Sequence, residues 1–253
     1  MYHKNRIFLF VFFSLFLFCS GTVSAQKQKS KTECKVENTI CVLGALEATA
    51  DTIDNKDWRD QTYRELAKSY TKEKEIDKAI ALIAKILTPD TKAMTIRGIG
   101  METAQLSLTP EKNKEIFQSL RAQAEKIEHP SSYAIALTYI AMAQAFAGDN
   151  EGAWKTASEM KNDALRHKAY GETAEIQAEL GDFKAAVISI NKIDSIVFRN
   201  KAYHSISNIL SDQGLYNEGY KAARAITNAY KQAQAMQYLY NKIKINKKKG
   251  GPL

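Results

Sequence analysis

The chain has 253 residues, of which 45% are hydrophobic and 25% charged, with a formal net charge of +8. That balance excludes intrinsic disorder and collagen-like repetition. With only 4 Pro and 12 Gly, it also argues against an all-β chain full of tight turns, while the recurring Ala, Lys, Ile, Glu and Leu favour helix.

The first residues read as a leader. His3, Lys4 and Arg6 form a positive start, Ile7 to Phe18 is an apolar run broken only by Ser14, and Val23-Ser24-Ala25 fits the small-residue cleavage rule. A signal peptide over 1–25 is therefore expected. The run is shorter than the roughly 20 apolar residues of a membrane span. A lipoprotein reading at Cys19 is disfavoured by the bulky Phe18 before it. The expected location is the periplasm, with secretion as the alternative.

Residues 26–41 form a basic N-terminal segment with Lys27, Lys29, Lys31 and Lys35. Export leaves Cys34 and Cys41, and an oxidising compartment favours a disulfide between them. On one continuous helix they would stand about 10.5 Å apart by rise alone. That exceeds the roughly 7 Å Cα reach of a disulfide, so a bridge requires the chain to bend. Six residues lie between them, too many for a redox pair.

A period of 33 runs through the rest. Gly148, Gly181 and Gly214 keep it, as do Ala141, Ala174 and Ser207, and Met160, Ile193 and Ile226. Earlier, Leu46 and Ala79, Ala50 and Ile83, and Ala67 and Gly100 keep it too. The step from Gly100 to Ala141 is 41, so eight extra residues lie between, and Leu106 to Asn113 is the expected place. Thr109-Pro110-Glu111 there reads as a helix start.

Within a period the apolar spacing is helical. Tyr63, Leu66, Ala67 and Tyr70 share one face, and Ala79, Ile83 and Ile86 share another after a break at Lys72 to Glu75. Each unit is predicted to be two antiparallel helices. Gly ends the first, and Asp149 or Asp182 caps the second. The expected order is a lone helix near Val42 to Ile53, five hairpins, and a last helix near Gln232 to Ile245. The last would pack through Met236, Leu239, Tyr240 and Ile243. One hairpin cannot bury its apolar face alone, so neighbours must stack.

This pattern resembles the tetratricopeptide repeat family. The best unit is Tyr63-x-x-Leu66-Ala67-x-x-Tyr70, then Ile76, Ala79 and Ile83, ending near Pro89. Leu137, Ala141, Gly148, Ala153 and Ala157 match in the next but one, followed by Tyr170, Ala174, Gly181, Phe183 and Ala186, then Tyr203, Ser207, Gly214, Tyr216 and Ala223. Departures are a period of 33, a mostly absent late Pro, and Gln144 and Gln177 where an aromatic is common. The resemblance implies an all-α, right-handed α-solenoid of about five helix-turn-helix repeats over 42–246, with a C-terminal capping helix. The lysines at 247–249 are expected to belong to a basic flexible tail at 247–253.

It also implies a concave groove lined by the first helix of each unit. The exposed positions would be Arg64, Lys68 and Lys72; Met94, Arg97 and Met101; Thr138, Met142 and Phe146; Lys168, Glu175 and Glu179; and His204, Asn208 and Asp212. Such a groove would be basic at one end, soft and apolar in the middle, and acidic at the other. Methionine adapts to varied shapes, and opposed charges set the direction of a bound peptide. The expected function is a non-catalytic scaffold that binds a protein or peptide partner. A solvated helix face, or Met142 and Phe146 acting as core, is the plain alternative.

Nothing points to catalysis: GxSxG, GxxxxGK[ST], HExxH and a strand-borne GxGxxG are all missing. His204, Asn208 and Asp212 share a face, but three or four ligands must converge for zinc, so no metal or cofactor is expected. Gly100 reads as a close helix contact, and Trp58 and Trp154 as packing or surface anchors. The basic excess sits in the two tails, so nucleic acid is not the expected partner. Weak peripheral contact with an anionic envelope surface through the tails is one alternative to the binding scaffold, and an enzyme with a site scattered over helix residues and not readable from motifs is the other.

Overall fold

The computed structural model describes residues 34–248 and residue 250. The expected signal peptide and residues 26–33 lie outside the described residues. Among the described residues the protein is all-helical, with twelve helices and no strand. They are α1 (Thr39–Ala50), α2 (Lys56–Lys72), α3 (Ile76–Lys85), α4 (Pro89–Ala104), α5 (Pro110–Ala124) and α6 (Pro130–Phe146), then α7 (Asn150–Ser158), α8 (Asp163–Glu179), α9 (Phe183–Asn191), α10 (Ile196–Asp212), α11 (Tyr216–Ala225) and α12 (Ala229–Lys248).

The packing has two rows. Each even-numbered helix from α2 packs on the next even-numbered one, and each odd-numbered helix packs on the even-numbered helices before and after it. The turns explain why. Lys74, Ser107, Gly148, Gly181 and Gly214 hold φ of 63°, 50°, 82°, 79° and 79°, and they stand at the 33- and 41-residue steps of the sequence. In four of these turns the next residue donates its amide to a carbonyl five residues back: Glu75 to Tyr70, Asp149 to Gln144, Asp182 to Gln177 and Leu215 to Leu210. That bond closes a left-handed C-terminal turn and reverses the chain. Asp149 and Asp182 then cap α7 and α9 by accepting from the Gly152 and Ala185 amides.

Small residues form the seam of four of the five pairs. Ala67, Ala141, Ala174 and Ser207 are fully buried against Ala79, Ala153, Ala186 and Gly219 at matching positions. Gly100 meets a further need. A Cβ there would stand 2.9 Å from the Ala143 Cβ on α6, so the close approach of two even-numbered helices excludes it.

The extra eight residues do not form a long loop at Leu106 to Asn113. The turn gains only two residues, 105–109, while α5 runs 15 residues where α7 and α9 run 9. Thr109, Pro110 and Glu111 do start it, with the Thr109 side chain accepting from the Lys112 amide. The residues prolong a helix because Asn113, Ile116, Phe117, Leu120 and Ala124 give it a buried face throughout.

Buried polar groups tie the pairs and linkers together. Thr156 donates to Gln144 (2.7 Å) and Ser189 donates to Gln177 (2.6 Å), which explains the two glutamines. Asp60 accepts from the Leu87 and Thr88 amides, and Asn200 accepts from the Thr227 amide. At the N-terminal end Lys85 reaches Glu47 (3.0 Å) and Asp51 (2.8 Å), and Tyr63 donates to Asp51. Cys34 and Cys41 lie at disulfide distance, with Cα atoms 5.7 Å apart.

At the other end α12 packs on α10 and α11. Leu239 is buried and Met236 and Ile243 are half-buried, but Tyr240 faces solvent. The helix runs to Lys248, which takes Lys247 and Lys248 into it rather than into a tail.

Candidate functional site

The expected site residues fall on the even-numbered helices α2, α4, α6, α8 and α10. Because the period is shared, equivalent positions form rows across them. One row is Lys68, Met101, Met142, Glu175 and Asn208, and every member is half-buried. The row beside it is Arg64, Arg97, Thr138, Gly171 and His204. Thr138 is buried, not exposed as expected. Its hydroxyl donates to the Ala134 carbonyl at 3.0 Å, because α4 and α8 flank α6 closely on both sides.

The basic end is partly paired within itself. Arg64 and Lys68 both bridge Glu65, at 2.8 and 3.1 Å. The Lys68 stem lies so near Gly98 that a Cβ there would stand 2.7 Å from its Cγ. Exposed Lys72 reaches Glu102 on α4 at 3.6 Å. The Arg97 guanidinium stands over the Tyr139 ring of α6, 5.3 Å from its centre, a cation–π contact that leaves the group exposed.

The middle is apolar. Met101, Met142 and Phe146 pack on a cluster of Ala141, Ala145, Ala153 and Ile176 and remain half-exposed. They are thus core on one side and surface on the other. Met94 is half-buried as well.

The acidic end differs from expectation in detail. Glu175 is half-buried and Glu179 exposed. Lys168, Glu172, Glu175, Phe198 and Lys201 line a cavity of about 170 Å³ between α8 and α10, with His167 beside them. Burial pushes the Glu172 carboxyl above its usual range, and Glu175 adds to this against the pull of Lys168 and Lys201. Burial and Lys231 hold the His204 imidazole below its usual range. The Asn208 Oδ1 is buried with no hydrogen-bond partner. Asp212 accepts from Lys242 (2.6 Å) and Tyr238 (2.8 Å) of α12, which hold its carboxyl low.

Glu172, Lys201, Phe198 and Tyr139 were not singled out from the sequence. Glu172 and Tyr139 share a repeat position between two chosen rows, which was the available signal. Two further histidines have structural surroundings. His129 caps α6 by accepting from the Ser132 amide, and His167 lies buried against the Phe198 ring.

A larger cavity, about 650 Å³, opens between α5 and α7 and is lined by Phe117, Arg121, Gln144, Lys155 and Glu159 among others. None of the expected site residues touches it. Arg121 crosses it to bridge Glu159. Among the described residues no three His, Cys, Asp or Glu side chains converge as a metal site, and no helix is long and apolar enough to cross a membrane. Comparison with protein-family models gives no match, and comparison with curated proteins gives none either.

Proposed function

We propose that the chain is an exported tetratricopeptide-like solenoid, right-handed and of about five repeats. It binds an extended or helical segment of another protein along its even-numbered helices. The observation that carries this reading is the row Lys68, Met101, Met142, Glu175 and Asn208, which repeats one half-exposed register on five successive helices. Such a row offers successive contacts to a chain laid across it. Its methionines adapt to the ligand. Lys68 and Arg97 at one end and Glu175 and Glu179 at the other orient it. The leader pattern and the Cys34–Cys41 pair at disulfide distance support an oxidising compartment.

The test is selection of peptides from a random library on the folded protein, followed by affinity measurement. Met142→Glu should weaken the selected peptides by about tenfold or more. Lys184→Glu on α9 should leave them unchanged. Selected peptides that bind both variants as tightly as the native protein overturn the reading.

A further inference from the structure

Among the described residues, the two ends of the helix stack are half-units of opposite kind. α1 is an odd-numbered helix with no described even-numbered helix before it. α12 is an even-numbered helix with no described odd-numbered helix after it. Each therefore exposes, among the described residues, the face that such a helix would cover. Within the pairs, the seam positions of the odd-numbered helices Ala79, Leu120, Ala153 and Ala186 are fully buried, and the same position on α1 is Leu46, 41% exposed. The seam positions of the even-numbered helices Ala67, Ala141, Ala174 and Ser207 are fully buried, and the same position on α12 is Tyr240, 54% exposed. These two positions face each other in an intact pair, where Ser207 donates to the Gly219 carbonyl at 2.8 Å.

Trp58 shows the same contrast from α2. Of its equivalents in the period, Thr91, Ser132, Leu165 and Phe198, the two apolar ones pack on the core, Phe198 against His167 of the preceding even-numbered helix at 5.5 Å. No described even-numbered helix precedes α2, and Trp58 is 71% exposed.

Charge differs between the ends as well. From Val36 to Asp54 the sequence has Glu37, Glu47, Asp51 and Asp54 and no Lys or Arg, but Lys35, Lys56 and Arg59 flank that stretch. Lys85 also occupies Glu47 and Asp51, so this end is close to neutral. After Glu218 the sequence has no acid at all, only Lys221, Arg224, Lys231, Lys242, Lys244, Lys247, Lys248 and Lys249. One of these, Lys242, bridges Asp212. Two C-terminal ends therefore repel each other strongly, and a C-terminal end meets an N-terminal end without that penalty.

We infer that the occupant of both faces is a second copy of this chain, joined head to tail, with α12 of one copy laid against α1 and α2 of the next. The joint completes a helix pair from two half-units and covers Tyr240, Leu46 and Trp58. These are large residues at both facing positions, where the internal seams pair two small residues or, at α4–α5, Leu120 with Gly100, so the helices stand further apart at the joint than within a chain. A heterologous contact of this kind does not close on itself, so the assembly is open-ended. It is independent of any peptide bound along the even-numbered helices.

The experiment is sedimentation of the purified protein over a range of concentration, with the variants Leu46→Asp and Tyr240→Asp. Both positions are exposed, and circular dichroism checks that helix content is kept. The native protein should exceed twice the monomer mass at high concentration. Each variant alone should remain monomeric, because each lacks one of the two ends. An equimolar mixture should form a dimer and stop there, from the one intact pair of unlike ends. A native protein that stays monomeric at high concentration, a single variant that still associates, or a mixture that does not pair overturns the inference.

Discussion

The pairs α4–α5 and α8–α9 hold equivalent places in the repeat, one with a step of 41 residues and the other of 33, and are built differently. In α8–α9 the turn uses Gly181, the second helix has 9 residues, and Ser189 and Gln177 bond across the seam. In α4–α5 the turn uses Ser107, a residue for which positive φ is unfavourable, and the second helix has 15 residues. Its seam holds Gly100, which lets α4 approach α6. Beyond the longer helix a cavity of about 650 Å³ separates α5 from α7. Yet the even-numbered helices run on past it. The row α2, α4, α6, α8, α10 carries the continuity of the core, and the odd-numbered helices can lengthen without interrupting it.

The sharpest way to break that comparison is to remove what anchors the long helix. Phe117 is almost fully buried beneath α5. Phe117→Ala should cost about 3–5 kcal/mol, enough to unfold a marginal domain, measured by urea unfolding. Trp58→Ala, a large aromatic that is mostly exposed, should cost far less in the same assay. A small loss at Phe117 would mean that α5 is a surface addition and not part of the core.

Much of this was legible in the sequence. Gly148, Gly181 and Gly214 marked their turns because only glycine takes positive φ without cost, and the small residues marked the seams. The turns at Lys74 and Ser107 carried no such mark, although the period points to both. The buried bonds were harder to read. Gln144 to Thr156 and Gln177 to Ser189 join residues 12 apart across a turn, an offset that helical periodicity does not display. The linker clamps at Asp60 and Asn200 span about 27 residues and look like exposed helix residues until the chain folds. At the candidate site the rows were legible, and so was the i,i+3 spacing of Glu65 and Lys68 on one helix, a signal that was not used. The burial of Thr138 was not legible, since it depends on how near the neighbouring helices stand.

A second contrast concerns two glycines on even-numbered helices. A Cβ on Gly100 would meet the Ala143 Cβ at 2.9 Å, whereas on Gly171 the nearest atom is the Ala202 Cβ at 3.8 Å. Gly100→Ala should therefore destabilise by about 1–3 kcal/mol through overpacking. Gly171→Ala should stabilise by about 0.5–1 kcal/mol, because alanine loses less backbone entropy in a helix. Thermal melts of the two variants side by side should shift in opposite directions. If both shift downward, α8 and α10 approach as closely as α4 and α6 do, and the spacing of the row is uniform.

The smallest expected effect is electrostatic and belongs to α8. Burial raises the Glu172 carboxyl above its usual value of 4.5. An acid raised in this way binds its proton more tightly in the folded chain than in the unfolded one. Its charge therefore destabilises the fold, and stability falls as pH rises from the unfolded value through the folded one. Above that window the penalty is complete, and below it the penalty vanishes because the group is neutral in both states. Glu172→Gln should therefore raise the melting temperature at pH 7 and give no advantage once the solution is more acidic than the ordinary glutamate range. α4 has no such group, since its equivalent position is Gly98, and the gain should be specific to the α8 end of the row. An equal gain at acidic pH would assign it to packing. A loss at pH 7 would show that Lys168 and Lys201 outweigh burial and keep the carboxylate charged.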